Sequence, residues 1–439
     1  MPARTTSKSS AGRLTRRALL RGAAAVAVPY LVRPSALGLC GAVAPSERIG
    51  MGFIGVGNQG GGHLLGGAWT YLTGGYVARK DVQVLGVSDV RRDRRERAVT
   101  RVNQYYAGTL GKGKYQACKP HIDFRELLAR DEIDAVLIGT PIHWHAMMTL
   151  MAARAGKDVY CEKPTALTVR ESRAAADAVL RYGRVFQAGS QQRSEYDGKF
   201  RRACELVRSG RIGKLKAVYA NRPGGMFTWR AAYGQGKPVP DSLDWDLWLG
   251  PAPWRPYQGN LDAHMFGDGG INWGQHHYDI VQWSLDADHT GPVDLYFEDG
   301  KQACRYANGV VVYGCPYPGE RVGGSGGATW VGTEGRIAVD RENLVSYPSS
   351  IVSTPLAADE VHLYKTDSHS GNFLDCIRTR KQTITHAEST HRAASLMLLC
   401  GLLQRLRRPL RWDPDKEQFP NDDEANRLLS AAKRAPWRI

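Results

Sequence analysis

Ile49 to Val56 is an almost uninterrupted apolar run, and it leads into Gly55-Val56-Gly57-Asn58-Gln59-Gly60. An apolar segment without alternation is what a strand buried on both faces looks like, as in a parallel sheet. The glycine spacing narrows the role of the turn that ends it. Gly55 permits a tight turn, Gly57 lets a pyrophosphate approach the backbone, and Gly60 allows a helix to pack closely with its N-terminus facing the phosphates. Asn58 and Gln59 lie in the same turn and join the three glycines as candidate cofactor contacts. A single match of this kind is weak, so the rest of the chain has to supply alternating strands and helices.

Val82 to Val87 forms a second strand leading to Asp89, where a carboxylate accepts hydrogen bonds from adenosine ribose hydroxyls. It lies beyond the usual spacing of about 20 residues because Trp69 to Lys80 reads as an insertion. An acid here favours NAD. Arg91 and Arg92 directly after it suit a 2′-phosphate and keep NADP open. Asp89 also fits as the N-cap of a helix from Arg91 to Gln104. After a polar connection from Gly108 to Pro120, Phe124 to Ala129 reads as a short helix. Ala135 to Gly139 is another buried strand, ending in Thr140-Pro141-Ile142-His143-Trp144-His145. Thr140, Pro141, His143 and His145 are cofactor candidates at that strand end, with capping or packing as the other role for one histidine. The histidines lack the i, i+4 spacing of a zinc site, and no metal is expected.

Val159 to Cys161 runs straight into Glu162-Lys163-Pro164. Pro164 disfavours the helical region for Lys163, so its ammonium is presented on an extended link at the open end of a strand. Lys163 is the first catalytic candidate, and Glu162 and Lys163 both count as cofactor contacts, with Glu162 orienting Lys163 rather than reacting. Thr168 to Glu171 fits a capping box for a helix to Tyr182. Val185 to Ala188 supplies a strand ending in Gln191-Gln192-Arg193, where Gln192 and Arg193 are candidate substrate contacts. This alternation over residues 49 to 193 is that of a doubly wound, Rossmann-type dinucleotide-binding domain.

From residue 194 to 439 the texture changes. Leu215 to Ala220, Val293 to Phe297, Val310 to Tyr313, Ala328 to Val331 and Ile337 to Val339 read as strands between Gly/Pro turns. The expectation is an α+β domain with a largely antiparallel open sheet, its last helices packing back on the first domain. On a helix from Gly269, Asn272, His276 and Asp279 stand at i, i+4 and i+7 and share one face. That places an imidazole between two polar groups able to orient or charge-stabilise it as a general base. His277 points about 100° away and reads as structural. With Trp273 it flanks the same face as a candidate substrate contact.

Charge does not indicate nucleic acid. Residues 1 to 48 hold eight Arg or Lys against Glu47, a net +7 that leaves +9 of the +16 for the rest, and the remaining basic residues form no stripe with interleaved aromatics. Thr15-Arg16-Arg17-Ala18-Leu19-Leu20 before the apolar run Ala18 to Val32 resembles a twin-arginine export signal. The run is shorter than the roughly 20 residues of a membrane span. Export machinery as partner and a periplasmic or cell-envelope location are the resulting expectations. Eight cysteines show no C-x-x-C pair. A two-residue turn at Asn308-Gly309 would set Tyr313, not Cys315, opposite Cys304.

The glycine loop, T-P-x-H-x-H, E-K-P and the Asn272/His276/Asp279 helix occur in that order, together with Asp244 to Pro251 and the closing Arg434-Ala435-Pro436-Trp437. In this the chain after residue 48 resembles the glucose-fructose oxidoreductase, inositol dehydrogenase and MocA (Gfo/Idh/MocA) family, above all its exported members. The resemblance implies that Lys163 bridges the nicotinamide and a substrate hydroxyl, and that His276 removes that hydroxyl's proton as hydride leaves the same carbon. It implies an aspartate at the position of Asn272, where this chain has an amide that supplies no charge. Relatives associate through the open sheet face, so a homo-oligomer is expected. The leading expectation is an NAD(P)-dependent oxidoreductase acting on a sugar or cyclic polyol. The alternatives are a redox-assisted glycoside lyase or hydrolase with tightly bound, recycled NAD, and a cofactor-binding protein without turnover.

Overall fold

The strand β1 (Ile49–Ile54) is buried at every position, as an apolar run without alternation requires. In the computed structural model of the chain, the described residues are 44, 47–67, 69–109, 115–221, 235–261, 266, 269–319 and 324–439. The twin-arginine stretch and the apolar run behind it fall outside them. Among the described residues, β1 joins β2 (Val82–Ser88), β3 (Lys119–His121), β4 (Ala135–Ile138), β5 (Asp158–Cys161) and β6 (Phe186–Ala188) in a parallel sheet of order β3-β2-β1-β4-β5-β6. Strand order reverses between β1 and β4, and the crevice at such a switch point is where ligands bind. Gly55 and Thr140 stand at that point.

The capping box is formed: Thr168 Oγ1 accepts from the Glu171 amide at 3.2 Å and Glu171 Oε2 accepts from the Thr168 amide at 3.2 Å. The stretch read as an insertion is partly core, since Tyr76 is wholly buried with its ring 5.8 Å from that of Phe53. β3 lies where a connection was expected. It is a sheet edge, the one place where a strand tolerates Pro120.

The second sheet contains β7 (Leu215–Asn221), β8 (Asp294–Glu298), β9 (Lys301–Arg305), β10 (Val311–Tyr313), β11 (Gly327–Gly332), β12 (Arg336–Asp340), β13 (Leu344–Tyr347) and β14 (Leu410–Arg411), ordered β13-β12-β11-β7-β10-β9-β8-β14. Its pairings are antiparallel except β7 with β10. Phe200, Tyr278, Val281, Leu396 and Leu399, from three helices, pack with Val218, Val312 and Trp330 into one core. Tyr219 and Tyr313 stack on each other 4.8 Å apart. The hairpin register differs from expectation: Val312 faces Cys304, because Tyr306 pairs with Val310 around a three-residue loop closed by Gly309 at φ 86. The Cys304 sulfur lies 3.5 Å from that of Cys400.

The chain then returns to the first sheet. The helix His369–Thr379 sends Phe373, Leu374 and Cys376 into the core that holds Met51 and Tyr160. The Ala188 amide donates to the Thr385 carbonyl at 3.1 Å, and Trp437 packs on Trp144 with ring centres 4.7 Å apart. Among the described residues, no helix is long and apolar enough to cross a membrane.

Candidate active site

At the switch point the glycine loop leaves no room for side chains. Gly55 sits at φ 80, and a Cβ on Gly60 would lie 1.9 Å from the Gly55 carbonyl oxygen. The helix Asn58–Leu65 starts from Gly57 with no side-chain cap, so its first amides remain open to an anion. A groove of about 470 Å³ runs beside it, lined by Gly57, Asn58, Gly61, Arg94, Arg97 and Arg101 among others. Open amides, glycine clearance and arginines together fit a dinucleotide pyrophosphate. Asp89 accepts from the Val56 amide and the Arg91 amide, both at 2.9 Å, so it fastens the loop to β2. A carboxylate offers about four acceptor sites, and two are left for ribose hydroxyls. Burial pushes its pKa up. Arg91 pairs with Asp93 at 2.6 Å and Arg92 reaches the Asp241 carbonyl at 3.4 Å. Arg94 is the one against the loop, its Nη1 3.1 Å from where a Gly57 Cβ would be.

β5 delivers Glu162 and Lys163 to the crevice. Glu162 is buried, with Oε1 2.7 Å from His63 Nε2 and 3.4 Å from both Gln59 Nε2 and Gln191 Nε2. Burial alone would raise its pKa, but the His63 contact and Lys163 outweigh this and hold the carboxyl below its usual range. Lys163 Nζ donates to Asn272 Oδ1 at 2.8 Å and to the Asn272 carbonyl at 3.1 Å. Its pKa falls to about 8, because burial disfavours the ammonium by more than the Glu162 charge supports it, and Arg341 adds a smaller repulsion.

Asn272 and His276 come from the helix Gly269–Ser284. Gln275 fixes this helix against the lysine loop, its Oε1 accepting from the Thr165 amide at 2.8 Å. His276 is buried, and its Nδ1 has no hydrogen-bond partner among the described residues. Burial, and then the charges of Lys163 and Arg341, hold its pKa well below the usual value, so the imidazole is neutral and able to take a proton. Lys163 and His276 thus present an acid and a base to one crevice.

The remaining candidates divide. Asp279 does not flank His276 as its helical spacing suggests. Its carboxylate grips Arg193, at 2.8 and 2.9 Å, and burial pushes its pKa to about 6. Arg193 also holds Asp288 at 2.8 Å and the Ile384 carbonyl at 3.5 Å, so all five of its donors are engaged within the chain and none is left for substrate. His145 lies 2.6 Å from the Pro164 carbonyl and 2.7 Å from that of Thr140, so it braces the lysine loop. His143 meets the Trp248 carbonyl at 2.9 Å and packs on Phe266. Both histidines are positioned by protein groups, in the packing role. Thr140 and Pro141 stand beside Gly55, at the β4 end of the crevice. Gln192 is fully buried with neither amide atom partnered among the described residues, which suits a ligand contact. His277 is buried and stacks on Trp273, with planes 10° apart. Trp273 borders the site, with the Lys163 ammonium 5.8 Å from its ring centre.

Sequence reasoning missed His63, Gln275, Tyr196 and Arg341. Of these only His63 carries a local signal, since it stands four residues after Gln59 on the helix that succeeds the glycines. Among the described residues, no group of three His, Cys, Asp or Glu side chains could hold a metal ion.

Residues 49–190 match the family model of an oxidoreductase family with an NAD-binding Rossmann fold, and residues 199–311 and 347–439 match the C-terminal alpha/beta domain of the same kind. A glycosyl hydrolase family 109 protein of Shewanella pealeana is 30% identical over 213 residues, 48% of this chain and 43% of that protein. An alpha-N-acetylgalactosaminidase of Shewanella oneidensis is 30% identical over 182 residues, 40% of this chain and 35% of its own length. The chain therefore spans less than half of these relatives. An aldose-aldose oxidoreductase of Caulobacter crescentus, solved with glycerol, has the same fold, with a TM-score of 0.54, 16% identity, and coverage of 83% of this chain and 99% of that one.

Proposed function

The chain belongs to the Gfo/Idh/MocA family of NAD-binding oxidoreductases, and from that premise we propose that it transfers hydride between the nicotinamide cofactor and a hydroxyl-bearing carbon of a sugar or cyclic polyol. The observation that carries this reading is that Lys163, at the end of β5, is hydrogen-bonded to Asn272 one helical turn before His276, and that Lys163 and His276 both border the Trp273 ring. When bound, the cofactor supplies the hydride acceptor. The residues to hold it are Gly55, Gly57, Asn58, Gln59 and Gly60 at the pyrophosphate, Asp89 at the ribose, and Thr140, Pro141 and Gln192 nearer the nicotinamide. The Lys163 ammonium lowers the pKa of the substrate hydroxyl by its charge, and the neutral His276 imidazole takes the proton. Asn272 has a different part from that of an acid in a relay, since its oxygen holds Lys163 on target and His276 has no carboxylate partner among the described residues.

A second reading is supported by the names of the Shewanella relatives: transient oxidation of a ring carbon, cleavage of the glycosidic bond, and return of the hydride with no net redox change. The Thr15-Arg16-Arg17 motif supports export by the twin-arginine route to the periplasm or envelope. Val345 and Tyr347, 55% and 67% exposed on β13, support self-association through the second sheet.

The deciding experiment is mass spectrometry of the cofactor released from the purified full chain, and then a panel of sugars, polyols and glycosides. Net NADH supports the dehydrogenase, and bond cleavage without NADH supports the second reading. Cofactor binding with neither product would overturn both.

A further inference from the structure

One cation at the site is left without a role by this mechanism. Arg341 directly succeeds β12, on a turn fixed by Asp340, whose Oδ1 accepts from the amides of Glu342 at 2.8 Å and Asn343 at 2.6 Å. Its guanidinium is clamped between two rings, 4.8 Å from the centre of Tyr196 and 4.9 Å from that of Trp273. Trp273 is the ring that also borders Lys163, at 5.8 Å, and His276, at 5.9 Å, so Arg341 belongs to the same wall of the site. The clamp is built under strain. Tyr196 adopts the left-handed region at φ 63, which is unfavourable for a tyrosine, and its hydroxyl accepts a hydrogen bond from Tyr71, itself at φ 54.

Its pairing sets Arg341 apart from Arg193 and Arg173. Arg193 engages Asp279 and Asp288, and Arg173 engages Glu388 and Glu417. Among the described residues Arg341 has no carboxylate partner, and its Nε is buried without a hydrogen bond. With Nε covered, a guanidinium held flat and only half-buried offers its two Nη groups end-on, parallel donors that the two oxygens of a carboxylate fit. The site also gathers two cations, Lys163 and Arg341, each of which disfavours protonation of His276. An anion placed at Arg341 would relieve that repulsion. We propose that Arg341 binds a carboxylate carried by the substrate, so that the sugar or polyol oxidised here is an acid, a uronate or an aldonate, rather than a neutral sugar. This substrate class rests on the hydride-transfer reading for where the reacting hydroxyl sits.

The test uses the NAD-loaded full chain, with binding measured by calorimetry and turnover by NADH absorbance and product analysis. The probes are glucuronate, galacturonate and gluconate, their neutral counterparts glucose, galactose and glucitol, and glucose 6-phosphate. The carboxylates are expected to bind about tenfold to a hundredfold more tightly than the neutral counterparts, as a charge-assisted pair requires. Arg341→Gln should abolish that preference through KM, and Arg341→Lys, which keeps the charge without the planar fork, should restore part of it. Equal binding of carboxylate and neutral probes, unchanged preference in a folded Arg341→Gln variant, or no carboxylate binding at millimolar concentration would each overturn the assignment. Tighter binding of glucose 6-phosphate than of every carboxylate would overturn it too. Arg341-dependent carboxylate binding with no NADH and no cleavage upholds the carboxylate site at Arg341 and removes the hydride-transfer reading, and with it the oxidation of that acid here. NADH from neutral sugars with no carboxylate preference does the reverse.

Discussion

Lys163 Nζ stands 2.8 Å from Asn272 Oδ1, a hydrogen bond between the end of β5 and a helix more than a hundred residues further along the chain. It joins the nucleotide-binding half to the half that carries His276, and it fixes the ammonium's direction. Replacing Lys163 by Ala should lower kcat by about 10²- to 10⁴-fold, the usual worth of a positioned proton-transfer group. Melting temperature and cofactor affinity should change far less. Full activity in a folded variant would remove Lys163 from the mechanism.

The pH profile is set by two groups shifted by burial. His276 stays neutral well below pH 6.5, whereas Lys163 loses its charge near pH 8. We expect kcat/KM to be bell-shaped, with the acid limb well under 6.5 and the alkaline limb near 8. His276→Gln should remove the acid limb along with most of the activity. A profile still rising at pH 9 would contradict the assignment of Lys163.

Two neighbours of Lys163 should move its limb in opposite directions. Asn272→Asp places a carboxylate on the ammonium, favours the charged form and shifts the alkaline limb upward by about one pH unit or more. Glu162→Gln removes a charge that supports the ammonium, so the limb should move below pH 8. Shifts of the same sign in both variants would show that the limb belongs to another group.

Asp279→Ala leaves Arg193 buried with Asp288 as its one remaining carboxylate. Breaking a buried pair costs about 3–5 kcal/mol, measurable by denaturant unfolding. The acid limb of the pH profile should stay in place. If it moved with little loss of stability, Asp279 would be acting on His276 after all.

Gly60→Ala brings a methyl group 1.9 Å from the Gly55 carbonyl oxygen, a contact with backbone that no rotamer relieves. Cofactor binding, read from NADH fluorescence, should weaken by tenfold or more. Unchanged affinity would mean that the glycine loop does not cradle the pyrophosphate.

The parallel sheet was legible because β1, β2, β4 and β5 are apolar runs ending in glycines, an acid or a proline, each a local signal. β3 was not, since Lys119-Pro120-His121 is polar, short and at an edge. The same applies to β14, a two-residue strand that exists through its pairing with β8. In the site, Lys163 and the Asn272/His276 spacing could be read because one motif or one helix carries each. Asp279 shares their face by spacing, yet its partner was decided by Arg193, which arrives from the end of β6. Arg341 and Tyr196 belong to no motif. They are brought to Trp273 by folding alone, and only coordinates reveal a guanidinium lying between those rings.

The return of the chain after β13 ties the first sheet to residues made well after it. Phe373 and Leu374 are part of the same core as Tyr160, and Thr385 receives the amide of Ala188. The nucleotide-binding half is therefore finished by residues that come after β13 in the chain. A ribosome must release the segment through Thr385 before the first sheet has these packing partners.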